Sequence, residues 1–266
     1  MFKCKQFTVK QDLAAMKVST DSLILGSWSQ LADLLDEDDN KLNSASSLAA
    51  SHHVLDIGTG TGILSLMLAQ KTQASLSPVY LDAIELDSAA CQQAEDNFIN
   101  SKWRDRLAVR QVNFFDLQQS DYYSWAIANP PYFSSDNCSD QQRQLARQLQ
   151  GNSWSDWFTQ CHLVLKNKAK LEMIIPADIA DKLVSIAGEK GFNLIARLDI
   201  MPAPNKAAKR VCLRFEKSAD QINHYRCESK FDREPAYQQQ SLLIYQQDNQ
   251  YSPAYKALCK AFYLKF

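Results

Sequence analysis

Residues 58–62 include three glycines and directly follow a strongly apolar segment. His53-Val54-Leu55-Asp56-Ile57 has the composition of a buried strand, Gly58-Thr59-Gly60-Thr61-Gly62 follows it, and a helical pattern runs from Ile63 to Lys71. The whole chain has only seven glycines, so loop composition does not explain their concentration here. Glycine lets the backbone take positive φ and approach a ligand closely. Strand, glycine loop and helix is the order of ligand-binding α/β units, although a tight turn with nothing bound has the same composition.

The overall composition is that of an ordinary globular protein. The chain has 266 residues, of which 45% are hydrophobic and 22% charged, and this is enough to bury a large core. Its formal net charge is −1, so any polyanion must be bound by a local cluster of basic residues. The richest cluster lies between residues 200 and 217 and includes Lys206, Lys209 and Arg210. A loop that only improves solubility is the alternative explanation.

The cysteines and the apolar segments indicate the cellular compartment of the protein. Seven cysteines are widely spaced, with no Cys-x-x-Cys pair and no histidine at metal-ligand spacing, which predicts reduced thiols and no metal site. The first residues lack an apolar signal core, and no run approaches the length that spans a bilayer. We therefore expect a cytoplasmic protein without membrane association.

Acidic residues follow the next two predicted strands. Val79 to Ile84 predicts a second strand that ends at Glu85, and Leu107 to Val112 predicts a third, followed by Asn113-Phe114-Phe115-Asp116. In dinucleotide-binding folds, an acid at the tip of the second strand takes both ribose hydroxyls. Asp116 is placed to accept a hydrogen bond from an adenine amine beside a phenylalanine. Each acid also has a structural explanation, since Glu85 can cap the next helix and Asp116 can be a solvated turn residue.

A fourth apolar run, Trp125 to Ala128, ends in Asn129-Pro130-Pro131-Tyr132. Proline fixes φ at about −65° and pushes the preceding residue towards extended conformations, so Asn129 and Pro130 are held stiffly. The Asn129 side-chain oxygen and the Pro130 carbonyl can accept both hydrogens of a planar NH2 group, while Tyr132 offers a flat face for a ring. This combination suits a nucleobase amine, and an Asn-Pro turn that closes a strand is the alternative. In a parallel sheet, the motif opens at the same carboxyl edge as the glycine loop.

The N-terminal flank has weaker signals. Phe2 to Gln11 alternates and predicts a short strand, and Thr20 is a candidate N-cap for a helix in the apolar stretch from Ser22 to Leu35. Residues 36–51 are acidic and then rich in Ser, Asn and Ala, which predicts a solvated linker.

The C-terminal half alternates between predicted helices and strands. A polar loop with a short helix is predicted over residues 134–150. The elements after it are a helix at Ser153 to Leu165, strand five at Leu171 to Ile175, a helix at Ala177 to Glu189, strands at Phe192 to Ile200 and Val211 to Phe215, a strand at Leu242 to Tyr245 and a helix at Pro253 to Phe262. The basic loop 201–210 joins the two strands before it and after it, which suggests a closing antiparallel pair.

The four motifs together resemble a known series. Val54 to Gly62, Glu85, Asp116 and Asn129 to Tyr132 are similar to the motifs of class I S-adenosylmethionine-dependent methyltransferases that methylate amino groups. The nicotinamide fingerprint G-x-G-x-x-G needs a third glycine that is absent from residues 63–65, which argues against a dehydrogenase. The match covers about residues 53–217.

The segments before and after this core resemble one group within these methyltransferases. Met16-Lys17-Val18-Ser19-Thr20-Asp21 and the last residues, Tyr251 to Phe266, resemble the bacterial tRNA adenine-N6-methyltransferases that act beside a valine tRNA anticodon. This resemblance implies a Rossmann-like α/β fold, with a seven-stranded, mostly parallel sheet, an antiparallel last strand and helices on both faces. It also implies a single domain over residues 1–266, with a catalytic core at 53–217 between extensions at 1–52 and 218–266.

The resemblance also implies roles for particular residues. S-adenosylmethionine would be the methyl donor, S-adenosylhomocysteine the product and tRNA the partner, with no metal and no protein partner. The residues that would contact the cofactor are Asp56, Gly58, Thr59, Gly60 and Gly62 at the methionine end, Glu85 at the ribose, Asp116 at the adenine amine, and Lys17 and Thr20 in a segment, Lys17 to Asp21, that closes over it. The basic loop departs from the family pattern, so the RNA contacts of Lys206, Lys209 and Arg210 are predicted from charge alone.

The chemistry of the motif matches a weak nucleophile. The lone pair of an adenine amine is delocalised into the ring, and two acceptors that bind its N–H groups more strongly as charge grows on nitrogen stabilise the transition state. Glutamine N5-methylation of a protein uses the same tetrapeptide on an equally weak amide nucleophile, and only the flanks argue against it. DNA adenine methylation and RNA binding without catalysis are also compatible with these motifs.

Overall fold

The computed structural model of the protein describes residues 1–32, 51–130, 152–218 and 237–266. The chain divides into two units. Unit 1 comprises Met1–Leu117, Tyr123–Ala128 and Leu258–Phe266, and unit 2 comprises Gln118–Tyr122 and Asn129–Ala257. Most of the predicted linker and the whole predicted loop 134–150 lie outside the described residues. Whether the chain behaves as one domain stays a prediction.

Unit 1 contains four parallel strands. They are β3 (His52–Ile57), β4 (Val79–Glu85), β5 (Leu107–Gln111) and β6 (Tyr123–Ala128), arranged in the order β6-β3-β4-β5. The last four residues of β3 are all buried, as expected for a parallel strand that is covered on both faces. In the register, Asp56 lies opposite Ile127 of β6 and Ala83 of β4, so the carboxyl ends of these strands are level.

The helices of unit 1 are α1 (Thr20–Trp28), α2 (Ile63–Lys71) and α3 (Ser88–Ile99), with short 3-10 turns at Arg104–Arg106 and Phe114–Asp116. α2 has the predicted bounds, whereas α1 begins two residues before the predicted stretch and ends seven residues before Leu35, the predicted end. The predicted strand near the start is instead a small antiparallel hairpin of β1 (Phe2–Lys3) and β2 (Thr8–Val9).

Unit 2 contains the reversed strand. Its strands are β7 (Leu165–Pro176), β8 (Phe192–Met201), β9 (Arg210–Lys217) and β10 (Gln238–Leu243), in the order β10-β8-β9-β7. β9 is antiparallel to both β7 and β8, whereas β10 is parallel to β8. The predicted antiparallel pair is therefore confirmed. β10 begins four residues earlier than the predicted strand. From β3 to β10 the described parts of the two units contain four strands each, eight in place of the predicted seven.

The helices of unit 2 carry its apolar core. They are α4 (Trp154–Val164) and α5 (Ala180–Glu189), the latter preceded by a 3-10 turn at Ala177–Ile179. Ser153 caps α4 through a capping box with Asp156. Phe158 of α4 packs against Phe192 and Phe215, with each pair of ring centroids 5.8 Å apart, so this helix contributes to the core of unit 2. A last helix, α6, covers Pro253–Cys259. No helix among the described residues is both long enough and apolar enough to cross a membrane.

Candidate active site

The three glycines of the loop all adopt positive φ, but their surroundings differ. The φ angles are 70° at Gly58, 58° at Gly60 and 81° at Gly62. A Cβ added to Gly58 or Gly60 meets no atom within 4 Å, whereas one added to Gly62 would lie 2.5 Å from the Phe98 ring. Gly62 is therefore required for packing against α3. Gly58 and Gly60 border open space, as expected where a backbone meets a ligand.

Asp56, the fifth residue of β3, ties the loop to α2 with one of its two carboxylate oxygens. Its Oδ2 accepts hydrogen bonds from Thr59 Oγ1 at 2.6 Å, from Ser65 Oγ at 2.7 Å and from Ser65 N at 3.2 Å. Its Oδ1 is buried and has no hydrogen-bond partner among the described residues. Burial raises the pKa of Asp56 to about 6 against the lowering effect of these hydrogen bonds, and the charge of Glu85 adds to the rise. A buried acceptor without a donor is costly, so Oδ1 is suited to receive a donor from a ligand.

Glu85 ends β4, and its carboxylate is fixed by three backbone N–H groups. Oε2 accepts from Gly60 N at 2.9 Å, and Oε1 accepts from Leu86 N at 2.8 Å and Asp87 N at 3.0 Å. The residue is 7% exposed. Asp87, rather than Glu85, caps α3 by accepting from Ala90 N, so the alternative helix-cap explanation for Glu85 does not hold. Both oxygens of Glu85 keep further lone pairs, and the carboxylate is held rigidly beside the glycine loop.

Asp116 is exposed at the end of the 3-10 turn that follows β5. Its backbone N–H donates to Asn113 O at 2.9 Å, and the Asn113 side chain accepts from Phe115 N at 3.2 Å. Phe115 is half-buried and packs against Phe114, with the ring centroids 5.7 Å apart. The turn therefore presents a carboxylate next to an aromatic side chain, as predicted for an adenine site, although its role stays a prediction.

Lys17 and Thr20 are both exposed in the segment before α1 and at its start. The prediction that Thr20 is the N-cap is wrong. Ser19 is the N-cap, because it has extended φ and ψ and its side chain accepts from Ser22 N, while Thr20 is already the first residue of the helix. Serine and threonine are both favoured at N-caps, so residue type does not distinguish the two positions.

Two buried polar residues of α3, which none of the sequence motifs includes, hold the N-terminal segment. Asn97 accepts from Lys10 N at 2.8 Å and donates to Lys10 O and to Thr61 O, both at 2.9 Å. Gln93 Oε1 accepts from the backbone N–H groups of residues 12 and 13, at 2.9 and 3.0 Å. Asn97 therefore joins the N-terminal segment directly to the glycine loop. The available signal is their i, i+4 spacing, which places both amides on one face of the helix.

Asn129 and Pro130 come directly after β6 in the chain and are half-buried. The last residue of β6, Ala128, lies opposite Ile57 in the register of β3 and β6. Pro131 and Tyr132 lie outside the described residues, so the stacking role of Tyr132 stays a prediction. Asn129 and Pro130 belong to unit 2, whereas the predicted cofactor residues, from Lys17 to Asp116, belong to unit 1.

The basic loop of unit 2 has fewer available charges than the sequence indicates. Lys206 and Lys209 are exposed and Arg210 is half-buried. Arg214 is instead buried in an ion pair with Glu172 at 2.7 Å, and the Lys217 ammonium is buried against Asp121 at 2.9 Å. These two basic side chains are occupied in ion pairs within unit 2, and the RNA contacts of the three loop residues stay a prediction.

A shallow groove of about 430 Å³ lies beside this loop and is lined by Pro204, Leu243, Gln246, Gln247 and Asp248. The loop is joined to the chain after β10 through a hydrogen bond of 3.1 Å from Tyr245 N to Pro202 O. Tyr245 stacks on Tyr251 with ring centroids 5.0 Å apart and remains 36% exposed. Within the described ranges, no group of three or more His, Cys, Asp or Glu side chains is arranged to hold a metal ion.

Comparisons with known proteins agree with this geometry. The family of the methyltransferase small domain matches residues 32–174. The tRNA1(Val) (adenine(37)-N6)-methyltransferase of Bacteroides thetaiotaomicron is 33% identical over 264 residues, covering 99% of this chain and 97% of that protein. The enzyme of the same name from Flavobacterium psychrophilum is 34% identical over 269 residues and the match covers both chains completely. Among solved structures, a predicted O-methyltransferase from Agrobacterium tumefaciens has a TM-score of 0.59 at 15% identity, covering 91% of this chain and 96% of that one, which supports the fold.

Proposed function

The chain belongs to the methyltransferase small domain family and, within it, to the tRNA1(Val) (adenine(37)-N6)-methyltransferases, and on this premise we propose that it methylates N6 of an adenosine in the anticodon loop of a valine tRNA. The methyl donor is S-adenosylmethionine. The adenine at position 37, which the names of the relatives specify, is the proposed target. Because tRNA is the substrate, the proposed place of action is the cytoplasm.

One observation carries the cofactor assignment: the carboxylate of Asp56 is buried beside the glycine loop, and its Oδ1 accepts no hydrogen bond from the described residues. The ammonium of the methionine moiety supplies such a donor. Asp56 and Glu85 also repel each other, since the charge of Glu85 raises the pKa of Asp56. A ligand with positive charges relieves this repulsion, and S-adenosylmethionine carries both an ammonium and a sulfonium group.

The remaining cofactor residues fit the nucleoside. The carboxylate of Glu85 is held by Gly60 N and two further N–H groups, so it is ready to accept from both ribose hydroxyls without reorganising. Asp116 is exposed and accepts the adenine amine in the proposed arrangement, with the ring against Phe115. Gly58 and Gly60 leave room for the methionine moiety because they have no Cβ.

The reaction needs little acid–base chemistry from the protein. S-adenosylmethionine, held by Asp56, Glu85 and Asp116, would supply an activated methyl group to the amine nitrogen and would leave as S-adenosylhomocysteine, while the nitrogen would release one proton to solvent. We propose that Asn129 Oδ1 and the Pro130 carbonyl accept the two N–H groups of the amine and that Tyr132 stacks on the flipped base.

The basic loop is the proposed RNA contact of unit 2. Lys206 and Lys209 are exposed on a turn closed by the hydrogen bond from Lys206 N to Ala203 O, so their ammonium groups are available to phosphates. Arg210 is half-buried next to them in sequence. The exposed ring of Tyr245 and the two glutamines of the adjacent groove add groups that stack on, or hydrogen-bond to, unpaired bases.

The experiment that tests the proposed function is methyl transfer to tRNA from cells that lack the enzyme. The purified protein, S-adenosylmethionine and total tRNA are incubated, and the nucleosides are analysed by mass spectrometry. N6-methyladenosine should appear in the valine tRNA and should be absent from a transcript in which the target adenosine is replaced by guanosine. A protein substrate is tested in parallel. Methylated glutamine without methylated tRNA would support glutamine methylation instead, and binding of tRNA without transfer to either substrate would support a non-catalytic RNA-binding protein.

A further inference from the structure

Residues close to the two ends of the sequence form one surface in unit 1. The backbone N–H of Lys5 donates to Phe262 O at 2.9 Å, and Lys5 Nζ donates to Lys260 O at 2.7 Å. Cys4 and Tyr263 form an isolated antiparallel bridge. Phe2 stacks on Tyr263 with an angle of 18° between the rings, whose centroids are 6.3 Å apart. These contacts hold two segments, separated by about 250 residues in the sequence, against each other.

A third segment joins them. Lys102 Nζ donates to Gln6 Oε1 at 2.7 Å and lies 4.9 Å above the Trp103 ring, and that ring packs edge-on against Phe7 at 5.8 Å. The segments 1–7, 102–103 and 258–266 therefore share one face. We call this the lysine face, because it presents five exposed lysines: Lys3, Lys5, Lys102, Lys260 and Lys265.

The charge of the lysine face contrasts with that of the whole chain. The formal net charge of the protein is −1, yet residues 1–11 and 258–266 contain no aspartate or glutamate. Beside Lys102, the carboxylate of Asp105 is paired with Arg104 at 3.7 Å. Positive charge that is concentrated on one face of a nearly neutral protein attracts a polyanion locally.

The frame of the lysine face fixes the backbone segments that carry its lysines. Phe2, Tyr263 and Phe266 are half-buried, and Tyr263 contacts Phe266 with the ring centroids 4.8 Å apart. Because the backbone of each segment is anchored by these rings and by the hydrogen bonds to Lys260 and Phe262, less conformational entropy is lost when the lysines meet phosphates. Two large apolar side chains, Met1 and Leu264, are exposed in these segments, and two single side chains do not form a broad apolar plane for insertion into a lipid layer.

We propose that the lysine face binds the phosphate backbone of tRNA, outside the nucleotides that enter the active site. This proposal rests on the proposed function, because it takes tRNA as the polyanion. Its contacts are electrostatic and independent of sequence. They raise affinity for the whole tRNA and leave the choice of the methylated base to the active site.

The test is a charge reversal at three of these positions, K3E/K260E/K265E. These three side chains are exposed, and none of their ammonium groups makes the hydrogen bonds that hold the frame together. The matched control is K166E/K168E/K182E, which reverses three exposed lysines of unit 2 and changes the net charge equally. Affinity for full-length valine tRNA is measured from about 0.05 to 0.3 M salt, with S-adenosylmethionine affinity and thermal unfolding as controls for folding. K3Q/K260Q/K265Q, which removes charge without reversing it, replaces the first variant if that variant does not fold.

The lysine-face variant should bind full-length tRNA on the order of 100-fold more weakly at about 0.1 M salt, with the salt slope reduced by about one unit per lost phosphate contact. Its binding of an isolated anticodon stem-loop, its S-adenosylmethionine affinity and its methylation rate at saturating tRNA should match those of the wild type. Equal tRNA binding by the two triple variants would overturn the proposal, while wild-type methylation of tRNA would keep the proposed function intact. Wild-type binding to vesicles containing anionic phospholipid, lost in the variant while tRNA binding is retained, would assign the face to a membrane instead.

Discussion

Asp56→Asn should weaken cofactor binding while leaving the ligand-free protein at least as stable as the wild type. Asp56 is fully buried, and its Oδ2 accepts three hydrogen bonds from Thr59 and Ser65. An asparagine can place its carbonyl oxygen at the same position and keep these bonds. It puts an NH2 group where Oδ1 lies, and that group cannot accept a hydrogen bond from the ammonium of S-adenosylmethionine.

The expected size of each effect follows from the burial of the carboxylate. Burial raises the pKa of Asp56 from 3.8 to about 6. Below about pH 4 the carboxyl is protonated in both states, and between about pH 4 and 6 the folded state binds more protons, so stability falls as the pH rises. The loss at pH 7 is roughly 3 kcal/mol for a shift of about two units. Asparagine carries no charge and avoids this loss of stability, but it buries an unsatisfied NH2 group, which costs about 1–3 kcal/mol. The variant should therefore be as stable as the wild type or up to about 2 kcal/mol more stable.

Cofactor affinity should move in the opposite direction. A hydrogen bond to a charged group contributes about 1.5–3 kcal/mol, which corresponds to a roughly 10- to 150-fold weaker Kd for S-adenosylmethionine. Calorimetric titration and denaturant unfolding from about pH 4 to 8 measure both quantities, with D105N as the control, because Asp105 is 90% exposed and loses the same charge. A variant that binds S-adenosylmethionine within about twofold of the wild type, or that loses more than about 2 kcal/mol of stability, would refute this reasoning.

Three further substitutions distinguish residues needed for packing, for the reaction and for RNA binding. Gly62→Ala should lower the free energy of unfolding by more than about 1–2 kcal/mol, because a positive φ is combined with a clash against Phe98. Gly60→Ala should cost less stability but weaken S-adenosylmethionine binding, and thermal unfolding and titration compare the two variants. Asn129→Ala should lower kcat by about two orders of magnitude with little change in cofactor affinity, and a near-normal rate would exclude its role at the amine. Reversal of the basic loop charges should weaken tRNA binding and flatten its salt dependence without affecting S-adenosylmethionine affinity, and an unchanged salt slope would exclude the loop as a docking surface; the residues changed are Lys206, Lys209 and Arg210.

The local parts of the site can be predicted from the sequence because short-range patterns determine them. The glycine loop, Asp56 and Glu85 lie within or next to buried apolar strands, and parallel pairing brings the ends of such strands to one edge. The predicted and observed strand ends differ by about one residue in this region. The sequence does not show which of Ser19 and Thr20 caps α1. Both residue types are good N-caps, and the two positions differ only in their backbone dihedrals, which composition does not reveal.

Charge clusters are less informative than apolar patterns. Arg214 and Lys217 belong to the same basic stretch as Lys206 and Lys209, yet they are buried in ion pairs with Glu172 and Asp121. Long basic side chains can point into the core when the fold places a carboxylate opposite them, and the sequence gives no indication of that partner. The predicted start of β10 is too late because its glutamines lack the alternation that marks a half-buried strand.

Contacts between segments that are far apart in the sequence cannot be predicted from local patterns. Asn97 binds Lys10 and the glycine loop, and Lys5 binds the backbone of Lys260. Each contact closes a long loop, so its entropic cost must be offset by the whole fold rather than by the residues that make it. Gln93 and Asn97 make such contacts for residues 10–13, because their amides bind the backbone of this segment to α3 and, through Thr61 O, to the glycine loop.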